Sequence, residues 1–328
     1  MVIEITNAEG RQIMPMMDAT LDMEVNDGER DFALTFSRSQ YDERIGYDSR
    51  IFVDGTEFGG ILGELATSTS ADTITWLGYT WRGLMAKKLI LPPDGADYYT
   101  ANDELNNILR DLIEPMFDGV FVVPEIDTSV TVSWKFDRFC TLLDGLTKML
   151  KSVGYRLNIA YNQGEPNGVG WVEVTAVPIV DWSGQIELSE DSKLHFSMSD
   201  KRNGVNHLVI GGKGELQDRN IIHLYVQKDG SIGKTQYYTG IHEIVEFYEN
   251  TSTETEDVES KGEEHLKEVM NVKTFDMDIE SLGIDIPIGD IVGGRDYITG
   301  MYASVPIGNI IVKVENGIIS KEYRLEGS

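Results

Sequence analysis

The chain has 328 residues, 41% of them hydrophobic and 25% charged, with 33 glycines, which is the balance of a folded protein rich in turns and long enough for two to four compact units. With 28 basic against 55 acidic residues the net charge is −27, so a phosphate backbone would be repelled; the densest basic sites, Lys87-Lys88 and Lys201-Arg202, are dipeptides in mixed sequence, and no specific nucleic-acid binding is expected. One cysteine, Cys140, excludes an intrachain disulfide and a thiolate zinc cluster. The start Met1-Val2-Ile3-Glu4 lacks the pattern of a secretory signal, so synthesis in a cytoplasm is expected, and no stretch reaches the roughly 18 apolar residues that span a bilayer.

Taken in chain order, residues 18 to 65 alternate as β-structure, at Leu21, Met23 and Val25 and again at Phe32, Leu34 and Phe36, with turn residues Asn26-Asp27-Gly28 between. Arg50 to Val53 and Thr56 to Phe58 predict a tight hairpin through Asp54-Gly55. A strand from Thr73 to Tyr79 follows, and Pro92-Pro93-Asp94-Gly95 marks a first boundary. The period then changes. Leu105, Ile108, Leu109, Leu112, Ile113 and Met116 form the stripe of a helix that Thr100 or Asn102 can cap, ending at Pro115 and Asp118-Gly119. A second stripe runs Phe136, Phe139, Leu142, Leu143, Leu146, Met149, Leu150 and Val153, with Gly154 as its left-handed stop. Tyr155, Leu157, Ile159 and Tyr161 alternate, as do Val172, Val174 and Ala176 across a polar loop, which makes this region a small α+β insert.

β-Character resumes at Asn206 to Ile210 and Ile221 to Val226. Nine acids and one base between Glu243 and Glu264 predict a solvated loop, with a short helix from Glu263 to Met270 after it. From Val272 to Leu325 alternation returns, with Gly289-Asp290, Gly293-Gly294 and the hairpin signal Asn316-Gly317.

Chemistry is sparse. Gly211-Gly212-Lys213-Gly214 lacks the earlier glycine and the following hydroxyl residue of a phosphate loop, and His242-Glu243 is followed by Glu246 where a zinc-protease helix needs histidine. His195, His207, His223 and His265 are scattered singly. Cys140 falls on an apolar stripe, where a thiol stays protonated. Among 55 acids no carboxylate pair can be singled out, and Asn250-Thr251-Ser252 reads as loop composition. The cluster Trp76, Tyr79 and Trp81 reads as core before it reads as a sugar platform. No catalytic, cofactor-binding or metal residue is assigned.

Four stretches carry a resemblance: Phe58-Gly59-Gly60-Ile61; Trp76 to Met85 running into Ile90-Leu91-Pro92; Asn206-His207-Leu208 with Gly211 to Arg219; and Ile288 to Asp296. In order and spacing they resemble the baseplate hub and tail-associated protein family of phages, itself similar to the trimeric hub of contractile-tailed phages. The resemblance implies a mainly β fold with an α+β insert, a hub-like multi-domain β-barrel architecture. Its division is 1–96, a first β-barrel hub domain; 97–182, the insert; 183–262, a peripheral β domain with the acidic loop; and 263–328, a second β-barrel hub domain that can share strands with 183–226. It further implies a homotrimer forming a ring of pseudo-sixfold symmetry at a virion's tail tip, assembled in the host bacterial cytoplasm and forming part of the channel for genome passage. The implied partners are distal tail and tail-tube proteins, the tape measure protein, and tail fibre or receptor-binding proteins. In that family the glycines and Pro92 carry turns rather than chemistry. Longer relatives add a fibre or hydrolase; the sequence here ends at Ser328 after the last predicted strand, so that extension is absent or cut away and no enzyme is expected. The alternative reading is a cell-wall carbohydrate-binding module using Trp171 and Trp182, and a third is a peptidoglycan hydrolase.

Overall fold

The computed structural model describes residues 2–16, 18–26, 31–165, 168–183, 187–188, 195–200, 203–250, 255–270, 273–278, 285–295, 298–315 and 318–326, with 187–188, 195–200, 255–257 and 273–278 described by backbone alone. Two compact units result, one of Met1–Phe196 with Asp276–Ser328, the other Ser197–Phe275.

In the first unit, eleven strands form one sheet among the described residues. Its order is Glu187–Leu188, Ile291–Arg295, Tyr302–Glu315, Thr20–Val25, Phe32–Ser37, Thr73–Thr80, Gly59–Ser68, Arg50–Phe52, Glu4–Thr6 and Gln12–Pro15, with Ile318–Leu325 paired beside Tyr302–Glu315. The expected alternation is what seats it: Leu21, Met23, Val25, Phe32, Leu34 and Phe36 are all buried. The first and last β-rich segments are hydrogen-bonded into this single sheet, because Ile310 to Val314 pair antiparallel with Leu21 to Val25. Asn26, at φ 86°, makes the positive-φ turn expected of it; Asp27-Gly28 lies outside the described residues, as does Asn316-Gly317.

Glycines hold the middle of this sheet together by what they lack. Phe32 pairs with Gly78, and its ring covers both Gly78 and Gly60, so that a Cβ on Gly78 would lie 2.6 Å from the ring and collide with the Ile61 carbonyl. Gly83 opens the helix Trp81–Ala86 (α1) to the buried Asp31 carboxylate, which accepts from the Thr80 amide at 2.8 Å and hydroxyl at 3.0 Å. Thr80 in turn caps α1 through Gly83 N–H at 3.1 Å.

The insert shares its core with this sheet. Helices Leu105–Ile113 (α2) and Leu142–Ser152 (α3) pack their buried stripes with Val172, Val174, Leu157 and Ile159 and with Phe52, Trp81, Met85 and Ile90. Trp81 stacks on Tyr161 with centroids 5.5 Å apart, and Phe52 tilts against it at 4.3 Å. The hairpin Tyr155–Asn162 with Trp171–Pro178 keeps the register that alternation requires, and Gly154, at φ +74°, stops α3 as expected.

Local details differ from expectation. The Asp54-Gly55 turn sits inside a wider loop: Phe52 pairs with Gly59, and Thr56 to Phe58 are not strand. Thr100–Glu104 is a strand paired with Thr131–Lys135, so α2 starts later and is capped by Glu104, which accepts from Asn107 N at 3.0 Å. Burial would raise the Glu104 carboxyl, but hydrogen bonds from Thr128 and the α2 amides outweigh it and hold it low. Phe136 and Phe139 precede α3, which Thr141 caps; Phe139 takes φ 60° and is exposed.

The second unit is a four-stranded sheet, Ile232–Gly233, Ile221–Val226, His207–Gly211 and Val245–Glu249, with the helix Thr255–Val269 (α4) on one face. The acidic stretch therefore holds a strand and a fifteen-residue helix rather than a loop and a short helix. Val258 and Leu266 of α4 pack with Leu208, Ile210, Leu224 and Val226. For that reason the division falls at 196/197 and 275/276 rather than at 182/183 and 262/263, and 97–182 has no core separate from that of 1–96. The strands His195–Asp200 and Lys273–Asp278 pair as a two-stranded sheet. No helix among the described residues is long and apolar enough to cross a membrane.

The glycine seat is testable by chemical unfolding. Gly78→Ala is expected to cost about 1–3 kcal/mol through overpacking. Gly63→Ala, where an added Cβ meets only the Leu77 carbonyl at 3.9 Å, should stay within about 0.5 kcal/mol.

Candidate assembly site

Three arginines from three parts of the first unit converge on the hairpin that begins at Tyr155. Arg156, on the hairpin itself, meets Asp290 at 2.6 Å. Asp290 is 1% exposed and accepts also from Val180 N at 3.0 Å and Trp182 Nε1 at 3.1 Å. A carboxylate stripped of water must be hydrogen-bonded, and its donors here come from the hairpin and from the segment leaving it. Gly289 makes the approach: it holds φ +92°, and a Cβ there would press on the Arg156 side chain at 3.1 Å.

Arg82, on α1, is 4% exposed, binds Glu57 at 2.8 Å and donates to the Leu157 carbonyl at 3.3 Å. Arg50, also buried, donates to the Gly170 carbonyl at 2.6 Å. Burial pushes the neighbouring Tyr161 hydroxyl up, an effect the Arg50 charge opposes. Sheet, helix and C-terminal segment are thus each tied to one hairpin by a buried guanidinium, the fork geometry suited to such sites.

The cleft beside these residues is lined by Asn26, Arg82, Lys151, Arg156, Ile288 and Glu326. Its cations are engaged with Glu57, Asp290 and, at 2.5 Å from Lys151, Glu326. The arrangement neutralises charge and fixes geometry; it does not offer a poised acid and base.

Residues singled out in the sequence fall as follows. Trp76 and Trp81 are buried in the core, while Tyr79 lies at the surface under Lys87. Trp182 is half-buried with its N–H on Asp290, and Trp171 is half-buried against Gly164, so neither stands out as an exposed sugar platform. Cys140 lies before α3 rather than on it, half-buried; burial first, then the Asp137 and Asp144 charges, push its thiol up.

Gly211 to Gly214 close a strand-to-loop turn in the second unit, with Gly214 at φ +110°, and no helix follows to receive a phosphate. His207 and His223 are not isolated: His207 binds Glu243 at 2.7 Å and His223 at 2.9 Å, and His265 meets Glu246 at 2.6 Å. Strand pairing brings these together, through registers that spacing in sequence does not reveal. The His195 side chain and Thr251-Ser252 lie outside the described residues. Among the described residues no three His, Cys, Asp or Glu side chains gather as metal ligands.

No protein-family model and no curated protein matches the chain. Solved structures do. The chain is similar to the 43 kDa tail protein of prophage MuSo2 from Shewanella oneidensis, at TM-score 0.53 and 13% identity, covering 99% of this chain and 98% of that one. It is similar to prophage tail protein gp18 from Listeria monocytogenes EGD-e, at TM-score 0.50 and 12% identity over 100% and 95% of the two chains. A chain of the phage P2 baseplate, in its activated conformation with Ca, matches at TM-score 0.50 and 9% identity over 100% and 99%. The mainly β fold is therefore that of phage tail and baseplate proteins, from one end of the chain to the other.

The buried ion pair and a surface one should separate clearly in urea unfolding. Asp290→Ala leaves Arg156 without its carboxylate and should cost about 3–5 kcal/mol. Lys148→Ala, which removes exposed pairs with Asp137 and Asp144, should cost less than about 1 kcal/mol.

Proposed function

We propose that the chain is a structural protein of a phage or prophage tail tip, a homotrimeric baseplate hub that joins the tail tube and distal tail ring to the tip and forms part of the channel for genome passage. The observation that carries this reading is the end-to-end likeness to tail and baseplate proteins, with 99% of this chain and 98% of the MuSo2 tail protein covered. Its buried charges support the reading, since Arg50, Arg82 and Arg156 are used to lock elements together. A net charge of −27 suits a conduit that DNA must cross without adhering. In this reading the segments 1–96 and 263–328 build the ring, and the partners are copies of the same chain, distal tail and tail-tube proteins, the tape measure protein and tail fibre or receptor-binding proteins. The role is structural, not enzymatic, and its place is the virion.

Light scattering across a concentration series tests the trimer. The expected species has three times the 36.7 kDa mass of one chain. A monomer that persists at high concentration, alone and with tail-tube protein, contradicts it.

A further inference from the structure

The second unit carries an open strand edge that nothing above employs. Val245–Glu249 pairs in parallel with His207–Gly211 on one side and, among the described residues, with no strand on the other. The register fixes which groups are spent. His207 N–H bonds to the Ile244 carbonyl and Asn250 N–H to the Gly211 carbonyl, so the even-numbered residues of this strand face the ladder. The amides and carbonyls of Val245, Phe247 and Glu249 therefore point to the free edge.

The same three residues place their side chains on the sheet face opposite α4, in register with His207, Val209 and Gly211. Val245 is 52% and Phe247 55% exposed. Gly211 leaves room for the Phe247 ring, and a Cβ there would stand 2.6 Å from it. Charge follows the same line. Glu243, Glu246 and Glu249 recur at every third position, answered by His207, His265 and one arginine, Arg219, which meets Glu249 at 2.5 Å. With neutral histidines the edge carries three carboxylates against one guanidinium. Neither of the usual protections is present: the strand contains no proline and no lysine.

We infer that the Val245–Glu249 edge of the second unit is a docking site for an extended segment of a partner protein, a strand of alternating apolar and basic residues that adds to the sheet. Main-chain hydrogen bonds to Val245, Phe247 and Glu249 supply the pairing, Val245 and Phe247 take the partner's apolar side chains, and the glutamates take its cations. This does not rest on the tail reading.

The probe is a fluorescent, end-blocked peptide of about eight alternating valines and lysines, a typical strand length, titrated against the full chain with amide hydrogen exchange followed in parallel. Saturable binding is expected, with slowed exchange at Val245, Phe247 and Glu249. Methylating the peptide nitrogens that face the edge removes the main-chain bonds without altering the protein, and should weaken binding by about tenfold or more. Phe247→Pro, which deletes an outward N–H and leaves the ladder to His207–Gly211 intact, should do the same. Phe247→Ala keeps that N–H and should weaken binding less than the proline. Three results overturn the inference: no binding, equal binding of the methylated peptide, which would reveal mere attraction of lysines to an acidic protein, or protection confined to other amides.

Discussion

A carboxylate that has lost its water has to be met by donors, and Asp290 is met from two stretches of chain far from it in sequence. Arg156 lies 134 residues away and Trp182 108 residues away, yet both reach the same two oxygens. Arg82 does the equivalent on the other side of the hairpin, joining Glu57 and the Leu157 carbonyl. Replacing such pairs with apolar residues can leave stability unchanged, whereas removing one partner is costly. Their effect is on arrangement: with these contacts made, the hairpin has one position relative to the sheet, and the shared core of Phe52, Trp81 and Tyr161 can close beneath it.

The glycines show the same economy of position. In the quoted stretches they were expected to serve turns, and Gly214 and Gly289 do adopt positive φ. Gly60, Gly78, Gly83, Gly211 and Gly293 instead sit where another group comes close: the Phe32 ring, the Asp31 carboxylate, the Phe247 ring, and Ser183 with Tyr302. A side chain at any of them would push apart two elements that the fold brings into contact. Part of the resemblance carried by those stretches is thus a record of close approaches.

Much of the fold was legible because period-two alternation with one buried face leaves little freedom: Leu157, Ile159 and Tyr161 could face only one way, and so could Val172, Val174 and Ala176. What escaped was structure whose sequence imitates something else. Thr100 to Glu104 is polar and precedes a helix, so it reads as a cap until its partner Thr131 to Lys135 is in place. α1, at six residues, is too short to show a period, and the acids of α4 hide its buried Val258 and Leu266. The candidate site was half visible. Arg82 and Asp290 lie within the stretches that carried the resemblance, but Glu57 and Arg156, which give them meaning, are brought in by the tertiary fold alone. The same holds for His207 and His223, which the sequence presents singly and the sheet joins.

A likeness near 10% identity conveys the fold and leaves the role to be established in the particle itself. The most direct measurement is made on phage or phage-tail-like particles purified from cells that carry this sequence: quantitative mass spectrometry of the particle proteins, with antibody labelling in electron micrographs. The account predicts this chain at three copies per particle, labelled at the end of the tube away from any capsid. Its absence from intact particles, with the chain recovered free in the lysate, would contradict the account.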